Sequence, residues 1–235
     1  MIPDYPINLF NQGRYLSVPL MVGNEPDEGS IVADNATNQA DVTAFFMQNY
    51  PNLNLSDTDN INAQYPKTTP LPKHADYFPS LSAAYGQSTL ICPAIWMCSA
   101  LSNTNSSGVW NYSFNVTTTQ NTAAGLGVPH TFDTAAIFGA DYAGTPESPS
   151  DSTFVTGNYN APIVPILMDY YISFVKTLSP NSLKNSEAPE WTVFNGASTQ
   201  RRLVLTVGST QMYDVPTPLQ KNCAFWRTLN EKMEQ

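Results

Sequence analysis

Three short segments constrain the fold of this chain most. "SVPLMVG" (Ser17 to Gly23) is an apolar run closed by glycine and reads as a buried strand. "GVWNYSFNV" alternates Trp110, Tyr112, Phe114 and Val116 with polar residues, the period of a strand. "RRLVLTVG" reads as a further buried strand. Helical patterns separate them. "NQADVTAFFMQNYP" predicts a helix stopped by Pro51, with Asn38 or Asp41 as cap, and a short helix follows at "SDTDNINAQY". Residues 66 to 80 hold four prolines and read as a loop. "SLSAAYGQSTLICPAIWMCSAL" is helical in character, with a break expected near Gly86, and with Pro93 available for the first turn of its second half. A short helix is expected at "DTAAIFG", a surface loop over 139–160, a helix from about Pro162 to Leu178, and a C-terminal helix capped by Thr217. Strands alternating with helices argue an α/β arrangement.

With 235 residues the chain is long enough to bury a sizeable core. It carries only 10 Lys and Arg against 19 Asp and Glu, for a net charge of -9. Phosphate contacts need clustered cations, and these are scattered, so no nucleic-acid partner is expected and anionic membrane surfaces are disfavoured. The longest apolar stretch is broken by Pro162, Pro165 and Asp169, so no membrane span is expected. "MIPDYPINLF" has no basic region followed by an apolar one, and no signal peptide is expected there. Yet Asn35, Asn54, Asn105, Asn111 and Asn115 all stand in Asn-x-Ser/Thr tripeptides, which points to a secreted ancestor. One resolution is that the N-terminal part is missing.

Two histidines are present, His74 and His130. His130 lies in "GLGVPHTFD", between a strand-like segment and a short helix, where a base for chemistry would be placed. His74, in "PLPKHADYFP", reads as a surface loop residue. Asp27 and Glu28, in "VGNEPDEGS", follow the first strand directly. Ligands and catalytic groups gather at the C-terminal ends of strands in α/β sheets. A carboxylate accepting the Nδ1 proton of an imidazole fixes its tautomer and stabilises the imidazolium. An acid followed later by a histidine, each after a strand, matches the chain order Ser, Asp/Glu, His of α/β-hydrolases. Asp27 and Glu28 both remain open as that acid. The aromatic series Trp110, Tyr112 and Phe114 reads as sheet packing.

At these residues the chain resembles a known family. "IPDYPINLFNQGRYLSVPLMVGNEPDEGS" is similar to the segment of type-B carboxylesterases that leads into the triad acid, and "GVPHTFDTAAIFG" to the segment around the triad histidine. That group includes fungal lipases and the cholinesterases. The resemblance implies an α/β fold over residues 1–235, the C-terminal portion of a type-B carboxylesterase domain, with an incomplete, mostly parallel sheet flanked by helices. It implies Glu28 as the triad acid and His130 as the general base. "LICPAIW" and "NCAFWRTLN" resemble two segments joined by a disulfide in the cholinesterases, which implies a Cys92–Cys223 bridge and leaves Cys98 as a small buried thiol. No cofactor or metal is implied. The implied substrate is a carboxylic or lipid ester, and the family member is expected to be secreted.

The family's nucleophile is a serine in a G-x-S-x-G elbow. "GQSTL" at 86 and "GASTQ" at 196 lack the closing glycine, and "VGSTQ" at 207 puts the serine directly after its glycine. The expectation is therefore an ester hydrolase that supplies acid and histidine without the serine, inactive alone. The alternative is a non-catalytic, cholinesterase-like binding or adhesion protein, or a relic fragment. A third is a split enzyme completed by a separate chain.

Overall fold

The computed structural model describes residues 3–103, 108–140, 151–196 and 200–235. In chain order the elements are α1 (Pro6–Asn11), β1 (Leu20–Asn24), α2 (Gln39–Asn49), α3 (Leu55–Gln64) and α4 (Phe78–Gly86). A π-helical turn, Gln87–Ile91, leads into α5 (Cys92–Asn103), and β2 (Val109–Phe114) follows. Then come α6 (Thr119–Ala124), α7 (Thr134–Phe138), a 3-10 turn at Asp151–Phe154 and α8 (Ile163–Thr177). The chain ends with β3 (Arg201–Leu205), β4 (Gln211–Asp214) and α9 (Thr217–Arg227). No helix among the described residues is long and apolar enough to cross a membrane.

The four strands form one open, mixed sheet in the order β1-β2-β3-β4. β1 pairs with β2 and β2 with β3 in parallel, and β4 closes on β3 antiparallel. Helices cover both faces. On one side Phe46, Ile61, Leu81, Ile95 and Trp226 form a core that includes Val109 of β2. On the other, Ile163, Leu167 and Tyr170 of α8 meet Trp110, Tyr112, Phe114, Leu203 and Leu205. All six residues of β2 are buried. The alternation in "VWNYSF" therefore separates two cores, not core from solvent, as expected of a central parallel strand. The aromatic series is sheet packing, as the sequence suggests. Trp110 donates its indole N–H to Trp191 O, and Trp191 returns its own to Asn111 O, each at 3.1 Å.

Several elements depart from the sequence reading. α4 starts at Phe78, inside the proline-rich stretch. The expected break at Gly86 is not a break, while Pro93 does stand in the first turn of α5. The helix runs on through the π-helical turn, whose wider ring joins Cys92 N–H to Gln87 O. A proline ring clashes with the carbonyl four residues earlier in a regular helix, and a π-turn gives it room. Thr217 is not a cap: the chain enters α9 from an extended Pro216, and no side chain caps that helix. α1, α6 and β4 have weak or no periodicity in sequence and were not expected. Part of the expected loop over 139–160 lies outside the described residues. Asn38 does cap α2, accepting from the Ala40 and Asp41 amides.

Cys92 and Cys223 are bonded, tying the start of α5 to α9 across a sequence separation of 131. Cys98 is free and buried, and burial pushes its thiol up to about 12, which keeps it unreactive. Closing so long a loop restricts the unfolded chain, so a Cys92→Ala/Cys223→Ala variant is expected to lose roughly 4–5 kcal/mol of stability in the chain-entropy model. The denaturant midpoint under oxidising conditions measures it.

The five tripeptides separate by burial. Asn35, Asn54 and Asn115 are exposed, and Asn105 lies outside the described residues. Asn111 is fully buried in β2, where its amide donates to Val22 O at 3.2 Å. A glycan at Asn111 is incompatible with this strand. Peptide mass spectrometry of chain secreted from a eukaryotic host is expected to find Asn111 unmodified.

Candidate active site

β1 and β2 are neighbours in parallel register, with Asn24 opposite Ser113, so both strands deliver their following loops to the same edge. The loop after β1 carries Glu25, Asp27 and Glu28. The chain after β2 passes through α6 and returns as the turn that carries His130. Asp27 ties the two together. Its amide donates to Val128 O at 3.2 Å, and its Oδ2 accepts from the Val128 amide at 2.9 Å. Gly127 sits at φ +62°, and a Cβ there would lie 2.0 Å from Asp27 Oδ2. Only glycine permits that approach.

His130 occupies a tight turn closed by a Phe132 N–H to Pro129 O bond of 3.2 Å. The next residue, Thr131, has φ 68°. A β-branched residue in the left-handed region is strained, and such strain gathers at functional sites.

Glu28 Oε2 lies 2.6 Å from His130 Nδ1. Glu28 Oε1 accepts the Glu25 amide at 3.0 Å. The Glu28 side chain is 3% exposed and the imidazole 39%. A carboxylate acceptor at Nδ1 places a ring proton on that nitrogen and fixes the orientation of the half-buried imidazole. Asp27 is spent on the Val128 amide, so Glu28 and not Asp27 faces the imidazole. Helix α4 supports this turn by direct backbone contact. A Cβ on Gly29 would fall 2.1 Å from Ser82 O, and one on Gly86 would fall 2.6 Å from Gly29 N.

Behind Glu28 lies a group the sequence reading missed. Glu25 is 4% exposed, and its Oε1 accepts the Asp133 amide at 3.1 Å. Tyr112 donates to Asp133 Oδ2 at 2.6 Å and lies 2.8 Å from the Tyr171 hydroxyl. Burial first, then the charges of Asp133 and Glu28, hold the Glu25 carboxyl far above the ordinary glutamate range. Glu25 and Asp133 both stand inside the segments that carry Glu28 and His130. The missing signal was burial, which composition does not display. Tyr112 reads as packing because its ring is packed, while its hydroxyl reaches the acids.

His74 is a half-buried loop residue whose hydrogen bond and ring contact lie outside this cluster. Its ring stacks on Phe78 at 3.6 Å, and its Nδ1 is 2.8 Å from Pro72 O.

Ligand atoms of Glu25, Glu28 and His130 lie within 4.8 Å of one another. Several of these atoms already take part in hydrogen bonds. Both Glu28 oxygens are occupied, Glu25 Oε1 holds the Asp133 amide, and the histidine nitrogen facing the cluster meets Glu28. The arrangement is that of an acid–imidazole pair with a supporting acid, not of a chelating set.

Because the folded form holds a proton on Glu25 that the unfolded form releases, Glu25 ties stability to pH. Its contribution is complete below the ordinary glutamate pKa of 4.5 and declines as pH rises toward the raised folded value. The loss approaches about 1.4 kcal/mol per pH unit for one proton. Glu25→Gln, neutral at every pH, is expected to flatten the slope between pH 6 and 9 (roughly the range over which the two states differ by that proton) in denaturant titrations.

A model described as the carboxylesterase family matches residues 1–226. The chain belongs to the carboxylesterase family, and its sheet and helices have the α/β-hydrolase fold. The crystal structure of Aspergillus niger EstA matches with a TM-score of 0.93 and 44% identity, covering 100% of this chain and 44% of EstA. Secreted lipase 4 of Gibberella zeae is 24% identical over 224 residues, which is 92% of this chain and 37% of that protein. Lipase 2 of Geotrichum candidum is 35% identical over 71 residues, 29% of this chain and 13% of that lipase. The chain thus spans under half the length of these relatives.

Proposed function

We propose that this chain supplies the acid and the base of a serine-type carboxylic ester hydrolase, with Glu28 as the acid and His130 as the base. One observation carries the reading. A buried carboxylate stands 2.6 Å from Nδ1 of an imidazole that is itself partly exposed. In such a pair Nε2 takes the proton of a serine hydroxyl as that oxygen attacks the ester carbonyl. Glu28 stabilises the imidazolium that forms, and Nε2 then protonates the departing alcohol. The chain contains no G-x-S-x-G pentapeptide. The nucleophile and the oxyanion donors therefore come from outside these 235 residues, and the chain alone does not turn over ester.

The substrate class is a carboxylic ester, and a lipid ester fits the lipases among the relatives. A secreted glycoprotein is the setting the reading favours. The Cys92–Cys223 bridge suits an oxidising compartment, one relative is named a secreted lipase, and three of the tripeptides are exposed.

The test has two arms. Purified chain mixed with an activated short-chain ester is expected to show background hydrolysis, equal to that of His130→Ala. Turnover that vanishes in His130→Ala would mean the chain holds a nucleophile of its own. Joining the chain to the part of Aspergillus niger EstA that it does not cover is expected to create an esterase. There, His130→Ala should cost roughly 10³-fold or more in kcat and Glu28→Gln roughly 10²–10⁴-fold. A chimera equally active with either substitution would sink the assignment.

A further inference from the structure

Three carboxyl groups, Glu25, Glu28 and Asp133, converge behind a single imidazole. Two of them are almost wholly buried. Among the described residues no Lys or Arg makes an ion pair with any of the three, and His130 is the one base in contact. Buried like charges side by side cannot all remain ionised, so one of these acids keeps its proton.

The hydrogen bonds say which. Glu28 has the imidazole on one oxygen and a main-chain amide on the other, both of which favour a carboxylate. Asp133 receives the Tyr112 hydroxyl, which also favours its anion. Glu25 has a main-chain amide on one oxygen, and its carboxyl stands beside that of Glu28, with ligand atoms of these two and of His130 within 4.8 Å of one another. A hydrogen bond between two acids exists only if one is the donor. The groups facing Glu25 are Glu28 from its own loop, His130 and Asp133 from the histidine turn and Tyr171 from α8, with Tyr112 of β2 bonded to Asp133.

We propose that Glu25 is a positioning residue for the acid–base pair: its carboxyl donates to Glu28, its amide holds the other Glu28 oxygen, and its Oε1 ties this loop to the histidine turn. The inference rests on the Glu28–His130 reading given above. Three donors then surround Glu28: the Glu25 amide, the Glu25 carboxyl and His130 Nδ1–H. They fix where its charge sits and how it faces the ring. The Glu25 Oε1 bond to the Asp133 amide anchors the start of α7, three residues after His130. Were Glu25 ionised, a second buried charge would press on Glu28 and bias the imidazole toward its protonated form, in which Nε2 has no lone pair for a proton.

The experiment uses proton and carbon NMR of the 235-residue chain, whose two histidines allow His74 to serve as an internal control. The far-downfield Nδ1–H resonance of His130 reports the bond to Glu28, and the ring carbons report its titration. Glu25→Gln keeps a neutral donor, Glu25→Ala removes it, and Glu28→Gln is the control. The expected result is that Glu25→Gln keeps the downfield resonance and moves the His130 midpoint by no more than about 0.3 unit. Glu25→Ala should lose or strongly shift that resonance. A fall of about one unit or more in Glu25→Gln would show that a fixed negative charge was removed, and would overturn the proposal. Glu25→Ala indistinguishable from the parent would overturn it too, and if that variant fails to fold, Glu25→Gln alone decides. No downfield resonance in the parent, with Glu28→Gln leaving His130 unaffected, would instead overturn the acid–base pair itself.

Discussion

The parallel pairing of β1 with β2 is the constraint on which the site depends. Adjacent parallel strands end at the same edge, so their loops meet although 102 positions separate Glu28 from His130. The parallel bridge from Asp27 to Pro129 extends that pairing past the strands and into the loops. A shift of one residue would turn Tyr112 from the α8 face to the other core and break its bond to Asp133. The two cores therefore hold the register, and the register holds the acid against the imidazole.

Close backbone contacts do the finer placement. The Glu28–Gly29 turn sits directly on α4, because neither Gly29 nor Gly86 has a side chain to keep the two apart. That helix is pinned from below. The Tyr65 hydroxyl donates to Gln87 in the π-helical turn, the Trp226 indole N–H donates to the Tyr65 hydroxyl, and the disulfide ties the start of α5 to α9. The turn that follows β1 thus leans on a cross-linked helical layer. The histidine turn leans on the opposite layer, through Phe132, Phe154 and α8. The acid and the base come from opposite cores and meet at the sheet edge.

How much of this was legible follows from what sequence patterns encode. The three strands, the α2 cap and the helix α8 were legible, because period and capping chemistry are local. The Cys92–Cys223 pairing was legible only through a family resemblance; the meeting of the histidine loop with the acidic loop was suggested by their places after strands, but nothing local says which of Asp27 and Glu28 faces the ring. The choice is made by Val128, whose amide takes Asp27. The π-helical turn was not legible, because Gly86 signals a break as readily as a wider turn. β4 was not, because "QMYD" is short and exposed on an edge. The buried state of Asn111 was hidden as well. A sequon on a strand looks the same whether water or a second core lies over it.

Charge explains why the site has the form it does. The chain has an excess of acids and few cations, and it places three of those acids in one pocket. Without a nearby Lys or Arg, hydrogen bonds must carry the balance. Main-chain amides serve Glu25, Glu28 and Asp27, the Tyr112 hydroxyl serves Asp133, and Tyr171 in turn meets Tyr112. Donors of this kind stabilise charge without adding a competing cation. An arginine in the same pocket would pair with Glu28 and weaken its hold on Nδ1–H. By solving the electrostatic problem with amides, hydroxyls and one retained proton, the fold leaves His130, among the described residues, as the one basic group in contact with the cluster, with 39% of its side chain exposed.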